Sequence, residues 1–434
     1  MVLRIIGFAL ALAWLFPAHA GPKIENWQTS NGMRVYFVAA PELPMVDIRV
    51  TFSAGSARDA GASGLAALTN GMLNEGAGGM SVDAIAESFE GVGAQFGAGA
   101  LRDMAWVSLR SLTDPDYIQP ALETFAKVLW HPDFPERELA RLKNQTLVAL
   151  KAEEADPSSI ASKAYYKAIY GDHPYASPSN GTPASVEALT RDDLKAFHQR
   201  YYTAANGLLA ITGALSRELA EQLAETLSRG LPKGEAPAPV PTVSPLTKGE
   251  SIKIAYPSNQ AHVLIGQPGV ERGNPDWYAL YLGNHVLGGS GFTSRLVKEV
   301  RVKRGYAYSV YSSFSPMADK GPFLIGLQTR GNQVDDAIDV VRQTLAEFIK
   351  DSADEDEIKA SKLNITGGFP LRIASNSSIV EYLAVIGFYN LPLDYLDTFT
   401  GKVEAVTRED IARLYARHLN PEAMVTVVVG GEGT

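Results

Sequence analysis

The stretch Thr190-Arg191-Asp192-Asp193-Leu194 leads through Arg200 to Asn206-Gly207-Leu208-Leu209-Ala210-Ile211-Thr212-Gly213. It returns near the C-terminus as Thr407-Arg408-Glu409-Asp410-Ile411, leading through Arg417 to Ala423-Met424-Val425-Thr426-Val427-Val428-Val429-Gly430. The copies lie 217 residues apart and align without a gap. In each, Thr precedes an acidic first turn, the pattern of a capped helix start. An apolar run of strand character follows and ends at Gly. A helix–strand pair repeated at one offset across the chain reads as a duplicated domain.

Between the copies, residues 229–249 read RGLPKGEAPAPVPTVSPLTKG, with five prolines and three glycines. Such a segment continues neither a helix nor a central strand, and is expected to be an extended, semi-rigid linker. It separates residues 21–228 from residues 250–434. Residues 1–20, MVLRIIGFALALAWLFPAHA, carry one charge at Arg4, an apolar run from Ile5 to Phe16, and Ala18-His19-Ala20. This order is that of a secretory signal peptide cut after Ala20. The run is too short to span about 30 Å of hydrocarbon, and Pro17 follows it. Export is expected, and with no cysteine the chain suits an oxidising space such as a bacterial periplasm.

Composition narrows the function. Of 434 residues, 46% are hydrophobic and 20% charged, which is ordinary globular usage. Lys and Arg number 39 against 48 Asp and Glu, a net charge of −9 without a long basic run. Phosphate contacts need clustered cations, so nucleic acid is not an expected partner. No later segment has the length and apolarity of a membrane span. The lack of cysteine removes disulfides, thiolate nucleophiles and cysteine metal sites together.

Within each half, strands precede helices. Strands are expected at Lys23–Gln28, Arg34–Ala39, Met45–Ser53 and Met104–Leu112. Helices are expected at Ala66–Glu75, Ser81–Glu90, Tyr117–Leu129, Glu136–Glu154 and Ile160–Ile169. The second half repeats this with strands at Ile252–Ala255, His262–Gln267, Tyr306–Phe314 and Phe323–Thr329. Its helices are expected at Asp276–Val286, at Ser294–Lys303, and in a series from Val334 to Leu419. Segregated strands and helices argue an α+β fold, with two duplicated domains, each a mainly antiparallel sheet covered by helices.

Several chemistries are missing. A catalytic zinc needs about three protein ligands and an open position. The histidines are His19, His131, His173, His198, His262, His285 and His418, and no two lie within one helical turn. No nucleophile elbow or P-loop occurs. Gly91-Val92-Gly93-Ala94-Gln95-Phe96-Gly97 follows a helix rather than a strand, so it reads as a glycine-rich turn into a strand, not a dinucleotide site.

Two further stretches carry a resemblance. The first is Phe52-Ser53-Ala54-Gly55-Ser56-Ala57-Arg58 with Gly64-Leu65-Ala66-Ala67-Leu68-Thr69-Asn70-Gly71-Met72-Leu73-Asn74-Glu75-Gly76. The second is Leu287-Gly288-Gly289-Ser290-Gly291-Phe292-Thr293-Ser294-Arg295-Leu296 with Arg301-Val302-Lys303-Arg304-Gly305-Tyr306-Ala307-Tyr308-Ser309-Val310. From about Lys23 to the C-terminus the chain resembles the insulinase/pitrilysin family of zinc metallopeptidases, whose motif is H-x-x-E-H. The resemblance implies duplicated α+β halves. It also implies a departure, because the motif positions here are Ala67, Asn70 and Gly71, and the third ligand position falls at Ala149. An amide cannot take a proton from water at neutral pH, so Asn70 is no general base.

From the residues alone, Arg301 reads as one surface charge among Arg295, Lys298 and Lys303. Tyr308 reads as a strand aromatic sharing a core face with Tyr306. Ser294 suits a helix cap, Arg295 a packing or salt-bridge role, and His285 a satisfied core position. The resemblance implies more for one pair. Active members use an Arg and a Tyr seven residues apart to hold the substrate carbonyl, and Arg301 and Tyr308 have that spacing. It therefore implies a non-catalytic, substrate-binding subunit with no cofactor of its own. The partner would be a homologous H-x-x-E-H chain holding zinc, the two would form a heterodimer, and peptides would be the substrates. The other expectation is an inert scaffold or binding protein of the same fold.

Overall fold

The computed structural model describes residues 22–431. The expected signal peptide lies outside the described residues.

The strands are β1 (Glu25–Gln28), β2 (Arg34–Ala39), β3 (Met45–Phe52), β4 (Gly76–Ala77), β5 (Met80–Ser81), β6 (Gln95–Ala100), β7 (Ala105–Leu112) and β8 (Gly207–Gly213) in the first half. The second half holds β9 (Glu250–Ile254), β10 (Gln260–Pro268), β11 (Ala307–Phe314), β12 (Pro322–Arg330) and β13 (Val425–Gly430). The first half carries helices α1 (Leu65–Gly71), α2 (Val82–Glu90), α3 (Pro115–Trp130), α4 (Glu136–Glu154), α5 (Pro157–Tyr170), α6 (Pro183–Ala188), α7 (Arg191–Tyr201) and α8 (Arg217–Ser228). The second carries α9 (Trp277–Asn284), α10 (Val334–Asp351), α11 (Glu355–Arg372), α12 (Asn376–Phe388), α13 (Tyr395–Ala405) and α14 (Arg408–His418).

The fold is α+β with two alike sheets. The first has the order β1-β2-β8-β3-β7-β6 and the second β11-β12-β10-β13-β9. In each, one parallel pair (β2 with β8, β9 with β13) continues into antiparallel neighbours. β6 and β11 form corresponding outer strands. The repeated Thr residues act alike too. Thr190 and Thr407 each close a capping box, with Asp193 and Asp410. Arg191 and Arg408 each donate at 2.8 Å to a backbone carbonyl, that of Asp133 and that of Asp351.

The sheets have two apolar faces, as the continuous apolar runs of β8 and β13 require. Alternate residues serve different cores. Val35, Phe37, Leu209 and Ile211 join the core of the first half. Tyr36, Val38, Leu208 and Ala210 face the core of the second half. The cover on that second face is α12, from the other half. A Cβ on Gly387 would run into Leu208 and Tyr36, so glycine permits this approach. The carbonyl of Gly387 accepts from Arg34 at 2.9 Å.

The exchange is reciprocal. Helix α5 crosses from the first half and packs on β10 and β13. Ala161, Tyr165 and Ile169 meet Val425, Val427 and Val429 there. The buried Tyr165 hydroxyl donates to the Phe323 carbonyl at 2.6 Å. Nothing in the sequence reading placed these helices on opposite sheets.

Residues 229–249 carry no helix or strand. They are held along their length. The amides of Ala204 and Ala205 donate to the carbonyls of Pro232 and Lys233, both at 2.9 Å. Arg58 donates to the Ala238 carbonyl at 2.8 Å, and the Val243 amide donates to Asp319 at 3.0 Å.

Three local readings differ. The helix expected to Glu75 ends at Gly71, because the chain turns there into the short β4–β5 hairpin. The helix expected at Asp276–Val286 ends at Asn284 and passes into a π-helical segment, His285–Gly289, and the one expected at Ser294–Lys303 contains another, Val297–Val302. Gly288 explains the first, since a side chain there would strike the backbone of Ser312 on β11.

Tyr165→Phe should keep the fold and lower unfolding free energy by roughly 1 kcal/mol, the net worth of one buried hydrogen bond. Urea denaturation monitored by circular dichroism checks this.

Candidate functional site

The positions of the missing metal motif lie on α1 and α4. Asn70 is 1% exposed. Its amide nitrogen donates to the Trp106 carbonyl at 3.3 Å and to the Tyr202 hydroxyl at 3.1 Å. A carboxylate in its place would have no proton to offer the Trp106 carbonyl. Ala67 is half-buried, and Gly71 faces Leu142 of α4, whose methyl would lie 3.3 Å from an added Cβ. Ala149 is exposed on α4. Two methyl groups, a glycine and one engaged amide do not make a zinc ligand set. Among the described residues, no group of three or more His, Asp and Glu is placed to hold a metal.

Next to this layer lies His198 on α7. Its Nε2 is 3.2 Å from the Leu129 carbonyl, and its ring stacks on Tyr202 at 4.7 Å. Burial pushes its pKa down to about 4. The structure thus joins His198, Tyr202 and Asn70 in one buried stack.

Arg301 and Tyr308 come together. Arg301 lies in the last turn of the π-helical segment, and its guanidinium carbon lies 4.9 Å from the Tyr308 ring centroid. A register shift in β11 between Ala307 and Ser309 makes Tyr308 the surplus residue of a bulge. A bulge re-aims a side chain. Tyr308 is accordingly 80% exposed, which overturns the reading that places it in the core with Tyr306. Arg301 does not stand as one charge among several either. Arg295 is taken up by Glu357 at 2.6 Å, and Lys303 by Glu299 at 2.6 Å. Among the described residues, Arg301 has no carboxylate within salt-bridge distance.

Sequence reasoning assigned no role to Phe292. Its ring lies 4.8 Å from the Arg301 guanidinium carbon, on an exposed turn. Arg301 therefore contacts two exposed aromatic rings, Phe292 and Tyr308. Ring contacts leave the in-plane N–H groups of a guanidinium free to donate. The signal available in the sequence was a large apolar residue inside a glycine-rich turn. Ser294 donates to the Gly291 carbonyl at 2.8 Å and fixes that turn. His285 is held by Ser361 at 2.9 Å and Asn364 at 3.1 Å, a satisfied half-buried histidine.

The chain matches two family models, insulinase (peptidase family M16) over residues 34–182 and the peptidase M16 inactive domain over residues 188–365. It is 29% identical to the uncharacterized zinc protease YmxG of Bacillus subtilis, covering 94% of this chain and 99% of that protein. It is 26% identical to the non-peptidase homolog YmxG of Helicobacter pylori, covering 90% of each. A crystal structure of a peptidase M16 inactive domain from Pseudomonas fluorescens superposes with a TM-score of 0.91 at 44% identity. That match covers 95% of this chain and 98% of the other.

His198 predicts a pH dependence. Its folded pKa lies below the unfolded value near 6.5, so its contribution is full above pH 6.5 and is lost as pH falls toward 4. The loss is on the order of 3 kcal/mol. Stability curves at pH 7 and pH 4 should diverge less for His198→Phe than for the parent chain.

Proposed function

Since the chain belongs to the M16 insulinase peptidase family, we propose that it is the non-catalytic, substrate-binding subunit of a two-chain zinc endopeptidase. One observation carries this reading. The metal-motif positions Ala67, Asn70, Gly71 and Ala149 hold no ligand set, whereas a half-buried Arg301 lies beside an exposed Tyr308. The family description "inactive domain" and the name "non-peptidase homolog" of a relative agree with an inert chain.

A homologous partner bearing H-x-x-E-H would hold the zinc and supply the hydrolytic chemistry. The residues of this chain would bind and orient. The Tyr308 hydroxyl and the Arg301 N–H groups are donors, and both would meet the scissile carbonyl as negative charge grows on its oxygen. Phe292 would keep Arg301 in place. The peptide body would lie along an outer strand, β6 or β11, whose far edge pairs with nothing in its sheet. Main-chain pairing of that kind gives binding with little sequence preference. The N-terminal twenty residues support export, and a periplasmic site of action is part of the proposal. No helix among the described residues is long and apolar enough to cross a membrane.

The alternative is a scaffold or binding protein of the same fold. The purified chain alone should bind no stoichiometric zinc and cleave no peptide. Mixed with its H-x-x-E-H partner it should form a heterodimer that cleaves. Tyr308→Phe in this chain should then lower turnover by roughly one to three orders of magnitude, the range for losing an oxyanion donor. A heterodimer whose turnover is indifferent to Tyr308→Phe and to Arg301→Ala would leave only the scaffold reading.

A further inference from the structure

A cavity of about 940 Å³ lies between the halves, and neither Arg301 nor Tyr308 lines it. Its wall includes Arg49 of β3 and Trp106 of β7 from the first half. From the second half come Arg272, Trp277 of α9, Glu381 of α12, and Tyr389. Two features of this wall are unusual. The Nε atoms of Arg49 and Arg272 are closed off without a partner, and neither guanidinium makes a side-chain hydrogen bond among the described residues, so the terminal N–H groups are the donors open to a ligand. Both guanidinium groups lie by aromatic rings, Arg49 at 4.1 Å from Trp106 and Arg272 at 5.7 Å from Trp277 and from Tyr389. Ring faces offset part of a cation's field but accept no in-plane N–H.

The acidic groups nearby do not neutralise them. Asp103 is buried and already accepts three hydrogen bonds, from Tyr175 at 2.6 Å, the Ala318 amide at 2.7 Å and Tyr389 at 3.0 Å. Glu381 reaches Arg49 only at 3.8 Å, and its side chain is 66% exposed. Arg272 has no carboxylate within salt-bridge distance among the described residues. Two largely desolvated guanidinium groups with unpaired terminal N–H donors favour a ligand that brings acceptors and negative charge.

We propose that this cavity binds the carboxylate of a peptide's C-terminal residue, with its side chain against the tryptophan and tyrosine rings. A carboxylate matches the guanidinium fork, and the aromatic wall suits a large apolar side chain. The peptide identity of the ligand rests on the reading above, while the carboxylate site rests on the two arginines. A C-terminal anchor would set the register of a peptide whose main chain is otherwise bound without preference.

The test uses the full mature chain, without a partner, and isothermal titration with three probes. They are a hexapeptide ending in free phenylalanine, the same peptide amidated, and N-acetyl-phenylalanine. The free acid should bind about tenfold or more tighter than the amide, as a charge-assisted hydrogen bond requires. Arg272→Gln should erase that difference, and Arg272→Lys should keep part of it. Arg272 makes no side-chain hydrogen bond among the described residues, so its variants should fold, which circular dichroism confirms. If N-acetyl-phenylalanine binds in an Arg272-dependent way and both peptides fail, the carboxylate site stands and the peptide reading falls. Equal binding of acid and amide, an acid preference that survives both Arg272→Gln and Arg49→Gln, or no binding of any probe would overturn the proposal.

Discussion

Each sheet in this protein has more apolar surface than its own half can cover. That imbalance governs the rest of the structure. Residues of β2 and β8 alternate between two cores, and only one of those cores belongs to the first half. The second face is closed by a helix lent from the other half, and the loan is returned through α5. A half cut out alone would expose Tyr36, Val38, Leu208 and Ala210 to water. At about 25 cal/mol per Å² of apolar surface, four such side chains are worth several kcal/mol. The halves are therefore parts of one packed unit, and the inter-half cavity has walls that stay in register. The Asp103 carboxylate adds a polar clasp, because its three donors come from both halves.

The same rigidity holds the half-buried Arg301 beside the exposed Tyr308. Arg301 and Tyr308 stand on adjoining elements, a π-helical turn and a bulged strand, and both irregularities are anchored. Gly288 lets the preceding turn lie against β11, and Asn284 binds Ser312 of β11 through both its amide atoms, at 3.1 Å and 2.7 Å. Irregular turns of this kind concentrate at functional sites. By contrast the α1 layer has been settled into ordinary packing. Asn70 has become a strut between a helix and a strand, which is a role for a neutral amide and not for a base.

The repeat made much of this legible. The capped helix and the apolar strand after it gave the duplication, and the α+β order followed from strands preceding helices. The replaced motif could be read directly, since Ala67, Asn70, Gly71 and Ala149 are side chains without the needed donors. What escaped has a common physical character. The helix exchange depends on which sheet a helix meets, and amphipathic spacing does not encode that. Helix α12 did carry a hint, for it is apolar around most of its circumference, as a helix covered on several sides must be. The position of Tyr308 escaped because a strict two-residue alternation was assumed across Tyr306 and Tyr308, and one surplus residue breaks it. The Arg49–Arg272 cavity was invisible because its walls are distant in sequence, and Phe292 because a loop gives no period that says where a side chain points.

The exchanged helices also set an order of events in synthesis. Arg34 reaches the carbonyl of Gly387 across 353 residues of chain. The second face of the first sheet cannot close before α12 has been made. A nascent chain therefore carries the apolar residues of that face uncovered until its synthesis is nearly complete. Contacts this distant slow folding and prolong exposure to aggregation. A cell that makes this chain must keep that face shielded until Asn376–Phe388, close to the C-terminus, has been synthesised.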